Sequence, residues 1–174
     1  GVLAAERPGW VVVQGDTTTS LAAALAAYYR KIPVAHVEAG LRTDNKYSPF
    51  PEEINRRMIS VLADLHFAPT ALAVRRLRRE GLPARAVLKT GNTVTDALLW
   101  AARKIRRTPP RLPAGIPAPV RGRKLVLVTG HRRENFGAGL EQICRALKAA
   151  AAALPEMDFV YPVHLNPNVK GPVH

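Results

Sequence analysis

Short apolar runs alternate with amphipathic stretches along this chain. Trp10-Val11-Val12-Val13-Gln14 is an apolar run of strand length, followed by Gly15-Asp16. Thr17 or Thr18 can cap a helix that carries Leu21, Leu25 and Tyr28 and runs to about Arg30. Pro33 to Val37 forms a second strand. A loop with Gly40, Asn45, Pro49 and Pro51 follows it. Pro51-Glu52-Glu53 then opens a helix bearing Ile54, Met58, Ile59 and Leu62, its first-turn acids complementing the helix dipole. His66-Phe67-Ala68 predicts a strand, Thr70 to Glu80 a helix, Ala86-Val87-Leu88 a strand, and Asn92 to about Arg107 a helix.

From Thr108 to Gly122 five prolines interrupt the pattern, at 109, 110, 113, 117 and 119. They cannot supply helix-interior donors, so the stretch reads as a linker. A new β–α–β unit follows: a strand over Lys124 to Val128, a helix from about Gly139 to Ala153, and a strand over Phe159 to Val163. The alternation predicts an α/β protein with two parallel, Rossmann-like sheets. The expected division is residues 1–107 for the C-terminal part of a first Rossmann-like domain, 108–122 for the linker, and 123–174 for the start of a second. Roughly fifty residues cannot bury a stable core alone. The chain opens on Gly1-Val2-Leu3-Ala4-Ala5, which reads as helix interior, and closes just past a strand-like segment. It is expected to be an internal piece of a longer protein.

Charge adds a question. The 174 residues carry a net charge of +13, which invites a nucleic-acid reading. Much of the excess sits in Arg75-Arg76, Arg78-Arg79, Arg103-Lys104 and Arg106-Arg107. The first two pairs read as the polar face of a helix whose apolar side is Leu72, Val74 and Leu77. No aromatic residue interleaves with these cations as a single-strand stacking platform requires, and anionic small ligands account for basic loops equally well. The single cysteine, Cys144, falls among Leu140, Ile143 and Leu147 at helical spacing and reads as a packed core thiol. One cysteine allows no internal disulfide, which fits a reducing cytoplasm. No apolar stretch approaches the ~20 residues that span a bilayer.

The chemistry clusters after the strands. Asp16 follows the first, Glu38 the second, His131 the first strand of the second unit and His164 its last. In an open parallel sheet all such ends emerge on one side, where ligands bind. Thr129 to Gly137 is the densest stretch: His131, Arg132, Arg133 and Glu134 suit proton transfer beside a phosphorylated ligand. Each residue has a plainer reading. Asp16 can be a helix cap, Glu52 and Glu53 first-turn charges, His36 a structural strand residue and His164 a turn contact. Glu38, after a buried strand, is an expensive place for a carboxylate without a task.

Six blocks then resemble a family. Gly15-Asp16-Thr17-Thr18-Thr19, His36 to Thr43, Pro51 to Arg56, Thr90 to Ala97, Gly130 to Asn135 and Tyr161 to Pro167 are together similar to bacterial non-hydrolysing UDP-N-acetylglucosamine 2-epimerases, in the family's order. The resemblance implies a GT-B-like fold with the two sheets facing an interdomain cleft, a homodimer, and interconversion of UDP-GlcNAc and UDP-ManNAc for cell-surface polysaccharide synthesis. It implies no cofactor or metal, no nucleic-acid partner and no membrane. Asp16, Glu38, Glu52 and His131 match catalytic positions. Arg132, Arg133, Glu134 and Asn135 fall in the substrate-binding stretch, while Glu52, Arg132 and His164 match an allosteric nucleotide-sugar site. The implied route eliminates UDP to 2-acetamidoglucal and re-adds it with protonation from the other face. That needs a base, an acid and a group steadying the departing diphosphate. Which carboxylate is the base stays open. The family's N-terminal glycine-rich segment and much of its C-terminal nucleotide pocket do not appear in these residues, so the chain alone is expected to turn over little. Alternatives are a hydrolysing epimerase releasing ManNAc, a non-catalytic relative, and a basic nucleic-acid-binding module.

Overall fold

The computed structural model describes residues 1–111, 122–130, 132 and 135–173. The chain divides into two compact units, Gly1–Pro110 and Arg111–His174. The first unit opens with α1 (Val2–Glu6) and then alternates: β1 (Val11–Gln14), α2 (Thr18–Tyr28), β2 (Val34–Val37), α3 (Glu52–Leu62), β3 (Leu65–Ala68), α4 (Ala71–Arg79), a 3-10 turn at Ala84–Ala86, β4 (Val87–Lys89) and α5 (Thr93–Arg107). Its four strands are parallel in the order β1-β2-β3-β4.

Local chemistry sets the boundaries. The Thr17 side chain accepts from the Ser20 N–H and caps α2, Thr70 does the same for α4 through Ala73, and Asn92 caps α5 through Val94. Small residues let α2 lie close on the sheet: Ala24 and Ala27 are fully buried with Val13, Val34 and Ile59. A second core joins Ala39, Ala68, Ala73, Leu77 and Val87 under α4. Gly40 sits at φ +86°, and a Cβ there would stand 2.6 Å from the Ala73 carbonyl oxygen. Only glycine lets the chain leaving β2 pass that close to α4.

The second unit holds β5 (Lys124–Leu127), α6 (Ala138–Ala153), β6 (Met157–Val160) and α7 (Pro167–Val173), with β5 and β6 parallel. One expectation shifts here. The last strand lies two to three residues earlier than Phe159–Val163, because Lys124 to Leu127 pair with Met157 to Val160 and Pro162 has no N–H to extend the ladder. The segment after Asn166, to which the sequence pattern assigned no element, is a helix. Asn166 accepts from the Asn168 N–H through its side chain and from Val169 and Lys170 through its carbonyl, with Pro167 just inside the start. Cys144 is half-buried, not a fully packed core thiol. Most of the proline-rich linker lies outside the described residues. Among the described residues no helix is long and apolar enough to cross a membrane.

Candidate functional site

Asp16 leaves the carboxyl end of β1, and three neighbours hold its turn. Arg56 Nη2 donates to the Asp16 carboxylate at 2.6 Å. Asn55 Nδ2 donates to the Asp16 carbonyl at 2.9 Å. From beneath, His36 Nε2 lies 2.8 Å from the Gly15 carbonyl oxygen and donates to it. Thr17, not Asp16, caps α2, so the plainer reading of Asp16 as a helix cap falls. Its carboxylate, about a quarter exposed, is turned instead toward α3.

Glu38 leaves the neighbouring strand end. The register pairs Gln14 with Val37, so Asp16 and Glu38 emerge side by side on one edge of the sheet. Glu38 is half-buried and adopts the left-handed conformation, φ +67°. That conformation costs a side-chain-bearing residue roughly 1–2 kcal/mol and clusters at functional sites. Gly15 turns at φ +71°, and a Cβ there would stand in ordinary contact with the Glu38 carboxylate, 3.9 Å away, so it is the backbone conformation that favours glycine. A small cleft at these strand ends is lined by Val37, Glu38, Pro69, Gly91, Asn92 and Thr93.

Glu52 and Glu53 begin α3, one residue apart and in opposite circumstances. Glu52 is half-buried. Glu53 is fully buried and accepts from the backbone N–H groups of Thr43 and Asp44 and from Arg57 Nε, with Arg56 Nη1 3.6 Å away. Burial opposes its ionisation, but the Thr43 amide and the Arg57 guanidinium outweigh it and hold the carboxyl below its usual range. The loop from Glu38 to Glu52 is fastened further on. Arg42 donates Nε and Nη2 to the two Glu80 oxygens, each at 2.7 Å, and Nη2 also to Ser60 Oγ at 2.9 Å. Arg76 Nη1 donates to the Arg42 carbonyl. Thr43 Oγ1 donates to the Ser48 carbonyl.

His36 and His66 pair across β2 and β3, both fully buried. Burial pushes the His36 imidazole down to about 4, against the opposing pull of the Gly15 hydrogen bond, and burial lowers His66 as well. The structural reading of His36 therefore holds, with an added consequence: it braces the turn that carries Asp16.

In the second unit, Arg132 and Asn135 are exposed, and Asn135 N donates to the Arg132 carbonyl at 3.0 Å. The Tyr161 hydroxyl donates to the Gly130 carbonyl and ties the end of β6 to the end of β5. His164 is exposed, and its Nδ1 accepts from the Asn166 N–H at 3.1 Å. It lies four residues past β6, further from the strand end than expected. His131, Arg133 and Glu134 lie outside the described residues. The described residues hold no group of three or more His, Cys, Asp or Glu side chains placed to bind a metal ion.

Arg56 and Asn55, with clear roles at the site, were not singled out from sequence, and the buried Glu53 was read only beside Glu52 as a first-turn charge. The available signal was their i, i+2 and i+3 spacing on one helix, which does not say what that helix faces. Cations and an aromatic ring do meet on α5, against expectation: Lys104 Nζ stands 5.1 Å above the Trp100 ring, in a surface cleft shared with Arg103, Arg107 and Thr108. One ring is short of the series of stacking faces that single strands use.

The family profile described as UDP-N-acetylglucosamine 2-epimerase matches residues 1–174. A probable UDP-N-acetylglucosamine 2-epimerase of Ralstonia solanacearum is 54% identical over 99% of this chain and 47% of its own length. The crystal structure of UDP-GlcNAc 2-epimerase from Neisseria meningitidis bound to UDP-GlcNAc superposes with a TM-score of 0.92 at 47% identity, over 99% of this chain and 47% of that one. The Methanocaldococcus jannaschii enzyme in complex with UDP-GlcNAc and UDP gives 0.70 at 32% identity, over 99% and 46%. The chain thus spans about half the length of the relatives it matches. The parallel α/β units are built on the GT-B fold of those enzymes. With the profile running through every strand end that bears a carboxylate, the chain belongs to the UDP-N-acetylglucosamine 2-epimerase family.

Proposed function

We propose that this chain carries the carboxylate half of the active site of a non-hydrolysing UDP-GlcNAc 2-epimerase, which interconverts UDP-GlcNAc and UDP-ManNAc. The observation that carries the reading is the placement of Asp16 and Glu38 on adjacent parallel strand ends, with α3, the helix that Glu52 opens, gripping the Asp16 turn through Asn55 and Arg56. Two carboxylates on adjacent strand ends, with Glu52 assigned as a third, suit a reaction that removes a weakly acidic C2 proton from one face and delivers one to the other. Neighbouring carboxylates can divide acid and base roles, since close negative charges favour protonation of one member. His131 with Arg132 or Arg133 is assigned to the departing UDP, and Glu134 and Asn135 to the same substrate-binding stretch. Glu52, Arg132 and His164 are assigned to a second, allosteric nucleotide-sugar site. In this reading residues 1–107 complete a first Rossmann-like domain, 123–174 begin a second, the working enzyme is a homodimer, and its setting is the cytoplasm.

The test uses a polypeptide of full family length that contains residues 1–174, with UDP-GlcNAc in D2O. Deuterium at C2 and UDP-ManNAc in the NMR spectrum are the expected result. No exchange at C2 refutes the elimination route, and free ManNAc with UDP identifies the hydrolysing reaction instead.

A further inference from the structure

Glu53 is a full negative charge taken out of water at the start of α3, and its partners include the loop between Glu38 and Glu52 and the arginine that holds Asp16. Its two oxygens hold the Thr43 N–H at 3.1 Å and the Asp44 N–H at 3.3 Å. Those amides lie in the loop that joins Glu38 to Glu52. Asp44 is itself left-handed, φ +62°, so this loop turns sharply where Glu53 grips it. On its other side Glu53 faces Arg56, whose Nη1 is 3.6 Å away and whose Nη2 reaches the Asp16 carboxylate at 2.6 Å. Arg57 closes the cluster, donating to Glu53 and to Asp44. A buried ion cluster is a poor way to gain stability, because apolar residues of the same volume commonly serve as well or better. What such a cluster supplies is fixed geometry.

We propose that Glu53 and Arg56 are a positioning pair for the epimerase reaction, locking the Asp16 turn and the Glu38-to-Glu52 loop onto α3 so that the three carboxylates keep one spacing. Neither residue touches the sugar in this scheme: Arg56 acts through the Asp16 carboxylate it holds, and Glu53 through the loop it fastens and through Arg56. The inference rests on the proposed function for its catalytic readout and on the structure alone for its loop-fastening readout.

Two variants in the full-length family polypeptide test it: Glu53→Gln and Arg56→Lys. A displacement of about 1 Å at a reacting group costs on the order of a hundredfold in rate. The expected result for each variant is therefore a kcat lower by about a hundredfold, with C2 deuterium exchange falling in step and KM for UDP-GlcNAc close to the parent's. A residue that only stabilises the fold would lower the thermal midpoint and leave kcat of the folded fraction unchanged. A folded variant with the parent's kcat overturns the proposal, and so does one whose loss lies wholly in KM. Where Glu53→Gln does not fold, Arg56→Lys decides by the same criteria, since it leaves the Thr43 and Asp44 contacts in place. Amide hydrogen exchange provides the readout free of turnover. Thr43 and Asp44 should lose protection in Glu53→Gln and keep it in Arg56→Lys, and unchanged protection in Glu53→Gln overturns the proposal. A parent without C2 exchange removes the proposed function but leaves this second readout standing.

Discussion

Removing either partner of the Arg42–Glu80 pair breaks the same two hydrogen bonds, yet the two deletions should differ in cost. The Arg42 side chain is 1% exposed and the Glu80 side chain 33%. Take Arg42→Met first. It leaves Glu80 at the surface, where water can solvate the carboxylate and Arg57 Nη1 stands 3.8 Å away. Ser60 keeps a partner, because its hydroxyl also donates to the Arg56 carbonyl. The loss is then mainly that of charge-assisted hydrogen bonds, about 2 kcal/mol. Glu80→Ala is different. It strands a guanidinium in the interior with only Ser60 and the Leu41 carbonyl as acceptors. Breaking a buried pair so that one charge stays unpaired costs roughly 3–5 kcal/mol, and the remaining acceptors put this case near 3 to 4. The double variant should cost less than the sum by about 2 kcal/mol, since the second change removes a group already unpartnered. Urea unfolding followed by tryptophan fluorescence isolates the relevant unit, because Trp10 and Trp100, the two tryptophans, both lie within Gly1–Pro110. An Arg42→Met variant as unstable as Glu80→Ala, or additive single variants, refutes the reasoning.

Three further outcomes are expected. Stability of the first unit should fall as pH drops from 6.5. The folded His36 imidazole sits at about 4, below its unfolded 6.5, so the unfolded chain binds the extra proton in between, and the integrated loss reaches about 3 kcal/mol. His66 adds in the same sense, while Glu53 contributes only below its unfolded 4.5, so urea midpoints between pH 6.5 and 4.5 read the histidines; a flat profile there contradicts the burial of neutral imidazoles. Gly40→Ala forces a Cβ against the Ala73 carbonyl at a positive φ and should cost at least about 2–3 kcal/mol, read as a lower urea midpoint, and a near-neutral result removes the close-approach argument. In the full-length polypeptide, Asp16→Asn, Glu38→Gln and Glu52→Gln should each lower kcat by about 10²–10⁴, and a variant with full activity takes its residue out of the catalytic set.

The first unit was largely legible because its signals are local. A valine run marks β1, Val34 and Val37 bound β2, and Thr17 and Asn92 stand where caps belong. The second unit was less so. Its final strand was placed by apolarity over Phe159 to Val163, but a proline decides where pairing stops, and the ladder partner decides where it starts. The helix after Asn166 announced itself only by an Asn-Pro step, which reads as readily as a turn.

At the site the limit was of another kind. Glu52 and Glu53 are the same residue type at successive positions, and nothing local distinguishes them. The helix does: one step rotates the side chain by about 100°, which turns Glu53 inward while Glu52 stays at the edge. Whether inward is tolerable depends on Thr43 and Asp44, ten and nine residues back, arriving with their N–H groups, and on Arg57 one turn ahead. Asp16 shows the same dependence at longer range, since its partner Arg56 is forty residues away. A motif match carries Glu52 forward as a catalytic candidate and passes over its neighbour. The physical reading reverses the emphasis for structure: without the Glu53 carboxylate, Thr43 and Asp44 lose the acceptor of their backbone N–H groups, and the side-chain ties that still hold the loop between Glu38 and Glu52 to α3 are those of Arg42 on Ser60 and of Arg57 on Asp44.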